Sequence, residues 1–221
     1  MEISDMRKYD LAVFDLDGTL LDTRGGVLSA VKYTIKEFGY EMPDEDTLRT
    51  FIGPPVQEGF SRVYGLEGPI LQEIATVFRN FYSTKTLLEA ELYDGMIELF
   101  EAMRARGIMP AVATYKREDY ALTLLRHFGF DRYTDIMFGG DHENKLKKRD
   151  IIEKCINTAG VKDLSRVVMI GDTEYDAIGA RDIGVDFIGV SYGFGYKTTD
   201  EIEGCGAVGA AQTPMDILKF F

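Results

Sequence analysis

Apolar residues recur with two different spacings along the chain. Between about Leu20 and Leu88 they follow the three- and four-residue spacing of amphipathic helices, and this spacing predicts no strand there. A glycine-proline run breaks the stretch between two shorter helices. The apolar positions that define the first and last helices of the stretch are Val27, Ala30, Val31, Ile35 and Phe38, and then Leu71, Ile74, Phe78 and Phe81.

Outside this stretch, short apolar runs alternate with amphipathic helices. Such alternation is typical of βα units that build a parallel sheet, because strands covered on both faces are continuously apolar. We therefore predict an α/β fold with a doubly wound, Rossmann-like parallel sheet, into which an α-helical domain is inserted after the first strand. The predicted strands are Leu11–Asp15, Met109–Ala113, Ile136–Phe138, Val167–Ile170 and Phe187–Val190.

The change of spacing sets the predicted domain boundaries. Residues 1–19 and 88–221 form the α/β core, and residues 20–87 form the helical insertion. In open parallel sheets, ligands bind at the carboxyl ends of the strands. The residues that directly follow each strand are therefore the first candidates for chemistry.

The composition narrows the classes of partner. The 221 residues are 45% hydrophobic and 28% charged, which is typical of a soluble globular protein. A net charge of −12 repels the phosphate backbone of nucleic acids and anionic membrane surfaces. The first residues lack the apolar core of a signal peptide, and no apolar run reaches the roughly 18 residues of a membrane span. We expect a cytoplasmic protein that binds neither nucleic acid nor membrane.

Two clusters of carboxylates follow predicted strands. Asp15 and Asp17 come at the end of the first strand, while Asp172 and Asp176 follow the fourth strand and share one face of the next helix. Crowded carboxylates repel each other unless a cation neutralises them, and oxygen ligands suit Mg²⁺. The alternatives are an Asx turn after the first strand and a solvated acidic helix start after the fourth.

Two further segments offer groups that bind phosphate oxygens. Thr114 follows the second predicted strand with a hydroxyl and nearby backbone amides, although a threonine there is also an ordinary helix cap. The basic segment Lys145–Asp150 precedes a helix, and a lysine that reached the strand ends would balance a phosphoryl group and a carboxylate. We choose Lys148 for this role, with Lys145 and Lys147 as the alternatives.

Taken in order, these segments resemble the four motifs of the haloacid dehalogenase superfamily of phosphatases and phosphotransferases. The first motif corresponds to Asp15–Thr19, the second to Thr114, the third to Lys148, and the fourth to Gly171–Asp172 with Asp176. The resemblance covers nearly the whole chain. It implies an enzyme that hydrolyses phosphomonoesters.

The resemblance implies a role for each motif residue. Asp15 is expected to be the nucleophile that forms an aspartyl phosphate. Asp17 is expected to be the general acid and base, and Thr114 and Lys148 are expected to hold phosphoryl oxygens. The dehalogenase branch of the superfamily has no acid at the position of Asp17, so this residue favours phosphate chemistry.

The resemblance also implies a magnesium site. Its ligands would be the carboxylates of Asp15 and Asp172 and the main-chain carbonyl of Asp17. Asp176 would support these ligands or the lysine through hydrogen bonds. We therefore expect Mg²⁺ as the cofactor.

The inserted helices resemble the cap of the phosphoglycolate phosphatase-like subfamily. Gly53 and Pro54 match the cap loop that faces the substrate in that subfamily, and Gly18 and Tyr115 are further expected substrate contacts. A serine or an asparagine often follows the threonine of the second motif, whereas Tyr115 places a phenol there. The implied partner is a small phosphorylated metabolite, such as phosphoglycolate or a nucleoside monophosphate.

Two alternative functions use the same motifs. A phosphomutase would form the same aspartyl phosphate but return the phosphoryl group to a sugar phosphate. A regulatory protein would keep the fold without catalysis and sense a metal ion or phosphate in the acidic crevice. The complete set of motif residues argues against the regulatory protein, because loss of Asp17 or of the lysine would be its expected sign.

Overall fold

A six-stranded parallel sheet lies at the centre of the larger of two compact units. The computed structural model describes residues 8–142 and 145–221. The larger unit comprises the chain up to Leu21 together with Leu92–Phe221, and the smaller unit comprises Asp22–Glu91. The strands are β1 Leu11–Phe14, β2 Leu21–Asp22, β3 Glu91–Leu92, β4 Met109–Arg117, β5 Met137–Gly140, β6 Val167–Gly171, β7 Asp186–Val190 and β8 Gly209–Ala211. The helices are α1 Arg24–Glu37, α2 Glu45–Arg49, α3 Val56–Tyr64, α4 Ile70–Phe81, α5 Met96–Ala105, α6 Glu118–His127, α7 Lys148–Ala159, α8 Glu174–Ile183 and α9 Thr199–Gly204.

The order of the strands places β1 in the middle of the sheet. The order is β5-β4-β1-β6-β7-β8, and the strands pair in parallel. Leu11 of β1 pairs with Met109 of β4 and with Val167 of β6, so these three strands run in register. Their carboxyl ends therefore lie side by side, and the residues that follow them meet at one edge of the sheet.

Helices cover both faces of the sheet, because successive residues of a strand point to opposite sides. In β1, Leu11 and Val13 belong to the apolar core formed with α7 and α8. Phe14 instead contacts Phe100 of α5, with ring centroids 5.1 Å apart. This arrangement confirms the predicted doubly wound α/β fold.

The smaller unit is helical and has an apolar core of its own, to which Val31 of α1 and Ile74 of α4 contribute. A π-helix, Tyr82–Thr86, follows α4. The hydroxyl of Thr86 donates to the carbonyl of Gly26 in α1 over 2.9 Å. A Cβ at position 26 would overlap the Thr86 carbonyl, so the glycine permits this close packing.

The structure corrects several predicted elements. The prediction of no strand between about Leu20 and Leu88 is wrong, because β2 begins at Leu21. With only two residues, β2 is too short to carry a periodic pattern, and β3 and β8 were missed for the same reason. β4 continues to Arg117 instead of ending at Ala113, and its pairing with β5 shifts in register between these two residues.

The connections between the units are two short strands. β2 and β3 form a separate two-stranded sheet where the chain leaves and re-enters the larger unit. The smaller unit spans Asp22–Glu91, against the predicted insertion of residues 20–87. Among the helices of the described residues, none combines the length and the apolar character that crossing a bilayer requires.

Candidate active site

The carboxyl ends of β1 and β6 bring three aspartates together. Asp15 follows β1, and its backbone N–H donates to the carbonyl of Ile170 in β6 over 2.9 Å. Asp172 directly follows β6, and Asp176 lies in the first turn of α8. One carboxylate oxygen from each of the three lies within 4.8 Å of the other two, and all three residues are buried. We call these residues the aspartate cluster.

Lys148 enters the aspartate cluster from the first turn of α7. Its Nζ lies 2.5 Å from Oδ1 of Asp15 and 2.7 Å from Oδ1 of Asp176, and the residue is only 3% exposed. Its aliphatic stem packs against Gly179 of α8, where a Cβ would crowd the stem. The two alternatives from the sequence, Lys145 and Lys147, are exposed. Lys148 is therefore the lysine of this segment that contacts the cluster.

Backbone amides from the loop after β7 hold Asp172 in place. The N–H groups of Phe194 and Gly195 donate to its Oδ2 over 2.6 and 3.1 Å. Gly18 and Gly193 also approach this side chain so closely that a Cβ at either position would overlap it. These amide donors were not predicted from the sequence, because a backbone N–H has no residue-type signature. The glycines of the loop were the available signal.

Asp176 contacts both the start of α8 and the ammonium group of Lys148. Its Oδ2 accepts from the backbone N–H of Thr173 over 3.1 Å and from the Thr173 hydroxyl over 2.8 Å. Its other oxygen faces Lys148. The capping interaction thus fixes the orientation of the carboxylate that holds the lysine.

Burial and charge perturb the titration of the aspartate cluster. Burial raises the pKa of Asp172 to about 6, with a further contribution from Asp176, although the two amide donors oppose the shift. Burial also raises the pKa of Asp15, despite the nearby charge of Lys148. The pKa of Lys148 lies above its ordinary value, because the carboxylates of Asp15 and Asp176 outweigh the lowering effect of burial.

The donor set of the aspartate cluster fits a hard cation. One lysine faces three buried carboxylates, so mutual repulsion between the carboxylates is only partly relieved. The cluster supplies oxygen ligands, which is the donor chemistry of Mg²⁺ and Ca²⁺ sites. The cluster could therefore hold a divalent metal ion.

Asp17 contacts a second lysine. Its Oδ1 lies 3.0 Å from Nζ of Lys116 in β4, and the Lys116 side chain is only 10% exposed. No role for the side chain of Lys116 was predicted from the sequence. Its position two residues after Thr114 in the same segment was the available signal.

Thr114 and Tyr115 lie within β4 instead of after it. Thr114 is buried, and its Oγ1 accepts from the backbone N–H of Lys116 over 3.1 Å. The phenol oxygen of Tyr115 accepts from the backbone N–H of Lys148 over 2.8 Å. The strand end that carries Thr114 is thus linked directly to the first turn of α7.

The remaining predicted substrate contacts are glycines and a proline. Gly18 adopts a φ of 81°, in the left-handed region that favours glycine, and directly follows Asp17 in the larger unit. Gly53 and Pro54 lie in the smaller unit, in the loop before α3. The contacts of these residues with a substrate stay predictions.

The chain matches a known enzyme family over most of its length. Residues 12–190 match the haloacid dehalogenase-like hydrolases. The chain belongs to this family. The predicted superfamily is thereby confirmed, as is the prediction that the chain is a phosphatase-type hydrolase.

Relatives of this haloacid dehalogenase-like hydrolase include proteins that are named as phosphatases, and solved structures. The chain is 35% identical over 189 residues to a 5′-nucleotidase of Pseudomonas aeruginosa, covering 85% of each protein. It is 33% identical to a phosphoglycolate phosphatase of Agrobacterium fabrum, over 83% of this chain and 81% of that protein. A haloacid dehalogenase-like family hydrolase from Streptococcus pneumoniae superposes with a TM-score of 0.88 at 28% identity, covering 97% of this chain and 99% of that one.

Proposed function

We propose that this hydrolase is a Mg²⁺-dependent phosphatase that cleaves a small phosphomonoester through an aspartyl phosphate on Asp15. The observation that carries the proposal is the contact of Lys148 with both Asp15 and Asp176 inside a buried aspartate cluster. The lysine balances the charge of the nucleophile, and phosphoryl transfer depends on such positioning and charge neutralisation.

In the first step, a carboxylate oxygen of Asp15 attacks the phosphorus, and the bond between the phosphorus and the leaving oxygen breaks. Asp17 gives its proton to the leaving oxygen, so the alcohol departs neutral. Thr114 and Lys148 hold the oxygens of the transferred phosphoryl group, consistent with the burial of both residues and with the contact of Lys148 with Asp15.

In the second step, Asp17 takes a proton from water, and the water oxygen attacks the phosphorus of the aspartyl phosphate. The bond between phosphorus and Asp15 breaks, which releases inorganic phosphate and restores the free carboxylate. Lys116 holds the Asp17 carboxylate at 3.0 Å and thus orients the group that handles both proton transfers.

The proposed metal site uses the carboxylates of Asp15 and Asp172 and the main-chain carbonyl of Asp17, with Asp176 in support. The observation in favour of a bound cation is the grouping of three buried carboxylates. They repel each other, and the single charge of Lys148 does not balance them. When bound, Mg²⁺ would neutralise charge on the phosphoryl oxygens.

The proposed substrate is a small phosphorylated metabolite. The names of the relatives, 5′-nucleotidase and phosphoglycolate phosphatase, support a nucleoside monophosphate or a phosphoglycolate-like ester. Gly18, Tyr115, Gly53 and Pro54 are the proposed contacts with the part of the substrate outside the phosphoryl group. A phosphomutase or a regulatory protein is less favoured, because these two relatives are named for phosphate hydrolysis.

The test is phosphate release from phosphoglycolate, nucleoside monophosphates, sugar phosphates and an aryl phosphate, with Mg²⁺ present or removed by a chelator. We expect release that chelation abolishes and that Asp15→Asn abolishes without unfolding the protein. Asp131→Asn, the same change at an exposed position in the larger unit, is the matched control. Full activity of Asp15→Asn would refute the nucleophile, and no release from any substrate would count against a phosphatase of small metabolites.

A further inference from the structure

Two exposed tyrosines lie next to each other at the carboxyl ends of the strands. Tyr115 is 43% exposed and Tyr175 is 57% exposed. Within residues 8–142 and 145–221, no other tyrosine or phenylalanine is as exposed. Ligands of open parallel sheets bind at the carboxyl ends of the strands, so two exposed rings paired there form a candidate binding surface.

Both tyrosines are close neighbours of the motif residues in the chain, and the ring of Tyr115 lies near the lysine of the site. Tyr115 directly follows Thr114, and Tyr175 lies in the first turn of α8 between Asp172 and Asp176. The ring centroid of Tyr115 is 5.6 Å from Nζ of Lys148, the same ammonium that contacts Asp15. The aromatic surface therefore begins within one side-chain length of the proposed nucleophile.

The orientation of the pair is fixed in the protein. The phenol of Tyr115 accepts from the backbone N–H of Lys148 over 2.8 Å, which holds the ring against the start of α7. The rings of Tyr115 and Tyr175 meet edge to face, with centroids 5.7 Å apart and planes at 88°. An edge-to-face pair leaves at least one face of each ring outside the pair. A planar group could stack there without first ordering the side chains.

We propose that Tyr115 and Tyr175 form an aromatic subsite for the leaving group. The favoured substrates are phosphomonoesters whose leaving group carries a planar aromatic ring, such as a nucleoside monophosphate or an aryl phosphate. This inference rests on the proposed phosphatase function. Stacking of a ring on tyrosine depends little on the substituents of the ring, so the subsite selects for aromatic character more than for one base.

Two variants of Tyr175 test the subsite. Tyr175→Leu keeps an apolar side chain but removes the ring, whereas Tyr175→Phe keeps the ring. The measurement is the selectivity ratio, defined as kcat/KM for adenosine 5′-monophosphate divided by kcat/KM for phosphoglycolate, with Mg²⁺ present. We expect Tyr175→Leu to lower this ratio at least fivefold and Tyr175→Phe to hold it within twofold. An unchanged ratio in Tyr175→Leu would overturn the proposal.

A binding measurement separates failure of the subsite from failure of the proposed function. Adenosine 5′-monophosphate and phosphoglycolate are titrated by calorimetry into Asp15→Asn and into Asp15→Asn with Tyr175→Leu. We expect the added leucine to weaken binding of adenosine 5′-monophosphate at least fivefold relative to phosphoglycolate. Equal weakening of both, or none, contradicts the subsite. If wild-type protein hydrolyses no phosphomonoester, the proposed function fails, and this comparison still decides the aromatic subsite.

Discussion

Nζ of Lys116 lies 3.0 Å from Oδ1 of Asp17, and this lysine side chain is only 10% exposed. The two carboxylates of the first motif therefore face different lysines, since Asp15 contacts Lys148. The structure thus separates the proposed nucleophile from the proposed acid and base by giving each its own cation. Two chemical roles for two nearby aspartates require such a difference in surroundings.

Removal of the Lys116 ammonium is expected to impair proton transfer by Asp17. We expect Lys116→Met to lower kcat about tenfold, a part of the roughly 10²-fold or more that a positioned acid and base contributes. Lys116→Arg should recover part of the loss, because it restores a cation near Asp17. Steady-state kinetics on one phosphomonoester measures both variants, with the exposed Lys162→Met as control. A rise in KM at unchanged kcat would show that Lys116 binds substrate instead.

Removal of Lys148 is expected to destabilise the fold as well as to abolish activity. Lys148→Met leaves Asp15 and Asp176 without their shared cation in a buried site, and breaking a buried ion pair costs about 3–5 kcal/mol. Urea unfolding in the absence of metal measures the loss in the free energy of unfolding. Lys147→Met, an exposed neighbour, is the matched control. A loss below about 1 kcal/mol would contradict this account of the lysine.

The raised pKa of Asp172 predicts a pH-dependent stability. Burial raises this pKa from 3.8 to about 6, so the folded protein binds the proton more tightly than the unfolded chain. Deprotonation therefore lowers the free energy of unfolding as the pH rises from about 4 to about 6, by up to ~3 kcal/mol. We expect Asp172→Asn to stabilise the metal-free protein at pH 8 by about 1–3 kcal/mol, because the neutral amide avoids this cost.

Urea unfolding with a chelator at pH 4 and pH 8 measures the effect of Asp172→Asn on the free energy of unfolding. The increase in this free energy should be much smaller at pH 4 than at pH 8. Added Mg²⁺ should stabilise the wild-type protein at pH 8 more than the variant, because the variant lacks one proposed ligand. Asp131→Asn, at an exposed position, should behave as wild type. A variant less stable than wild type at pH 8 would show that hydrogen bonds from Phe194 and Gly195 outweigh the cost of the buried charge.

Gly18 and Gly39 have similar backbone angles but differ in the space around them. Alanine variants at these two positions therefore distinguish backbone strain from steric overlap with a neighbouring side chain. Gly18 has a φ of 81° and Gly39 a φ of 69°, but a Cβ at position 18 would overlap Asp172, whereas nothing lies within 4 Å of a Cβ at position 39. Both alanine variants pay the left-handed penalty of about 1–2 kcal/mol. We expect Gly18→Ala to lose activity at least a hundredfold and Gly39→Ala to keep it, as measured by phosphate release. Equal activity of the two variants would contradict the close approach at Gly18.

The spacing of apolar residues along the chain was sufficient to predict the α/β class and to select most of the candidate residues. Continuous apolar runs predicted the five main strands, because a strand buried on both faces has no polar positions. Asp15, Asp172 and Thr114 stood at or just after the ends of these predicted strands. Parallel strands present their carboxyl ends at one edge of the sheet, so these residues were expected to lie close together. The two-residue strands β2 and β3 were not predicted, because two residues are too few to show a repeating pattern of apolar positions.

The residue types and their places along the chain specify which chemical groups can reach the strand ends, whereas the packing of distant segments specifies which of these groups touch. Only the fold distinguishes Lys148 from Lys145 and Lys147, because the choice depends on which lysine contacts Asp15, 133 positions away in the chain. The pairing of Lys116 with Asp17 was likewise decided by β4 lying beside β1. Spacing along a chain reports the local period of a strand or helix, whereas contacts between distant segments are set by strand order and packing.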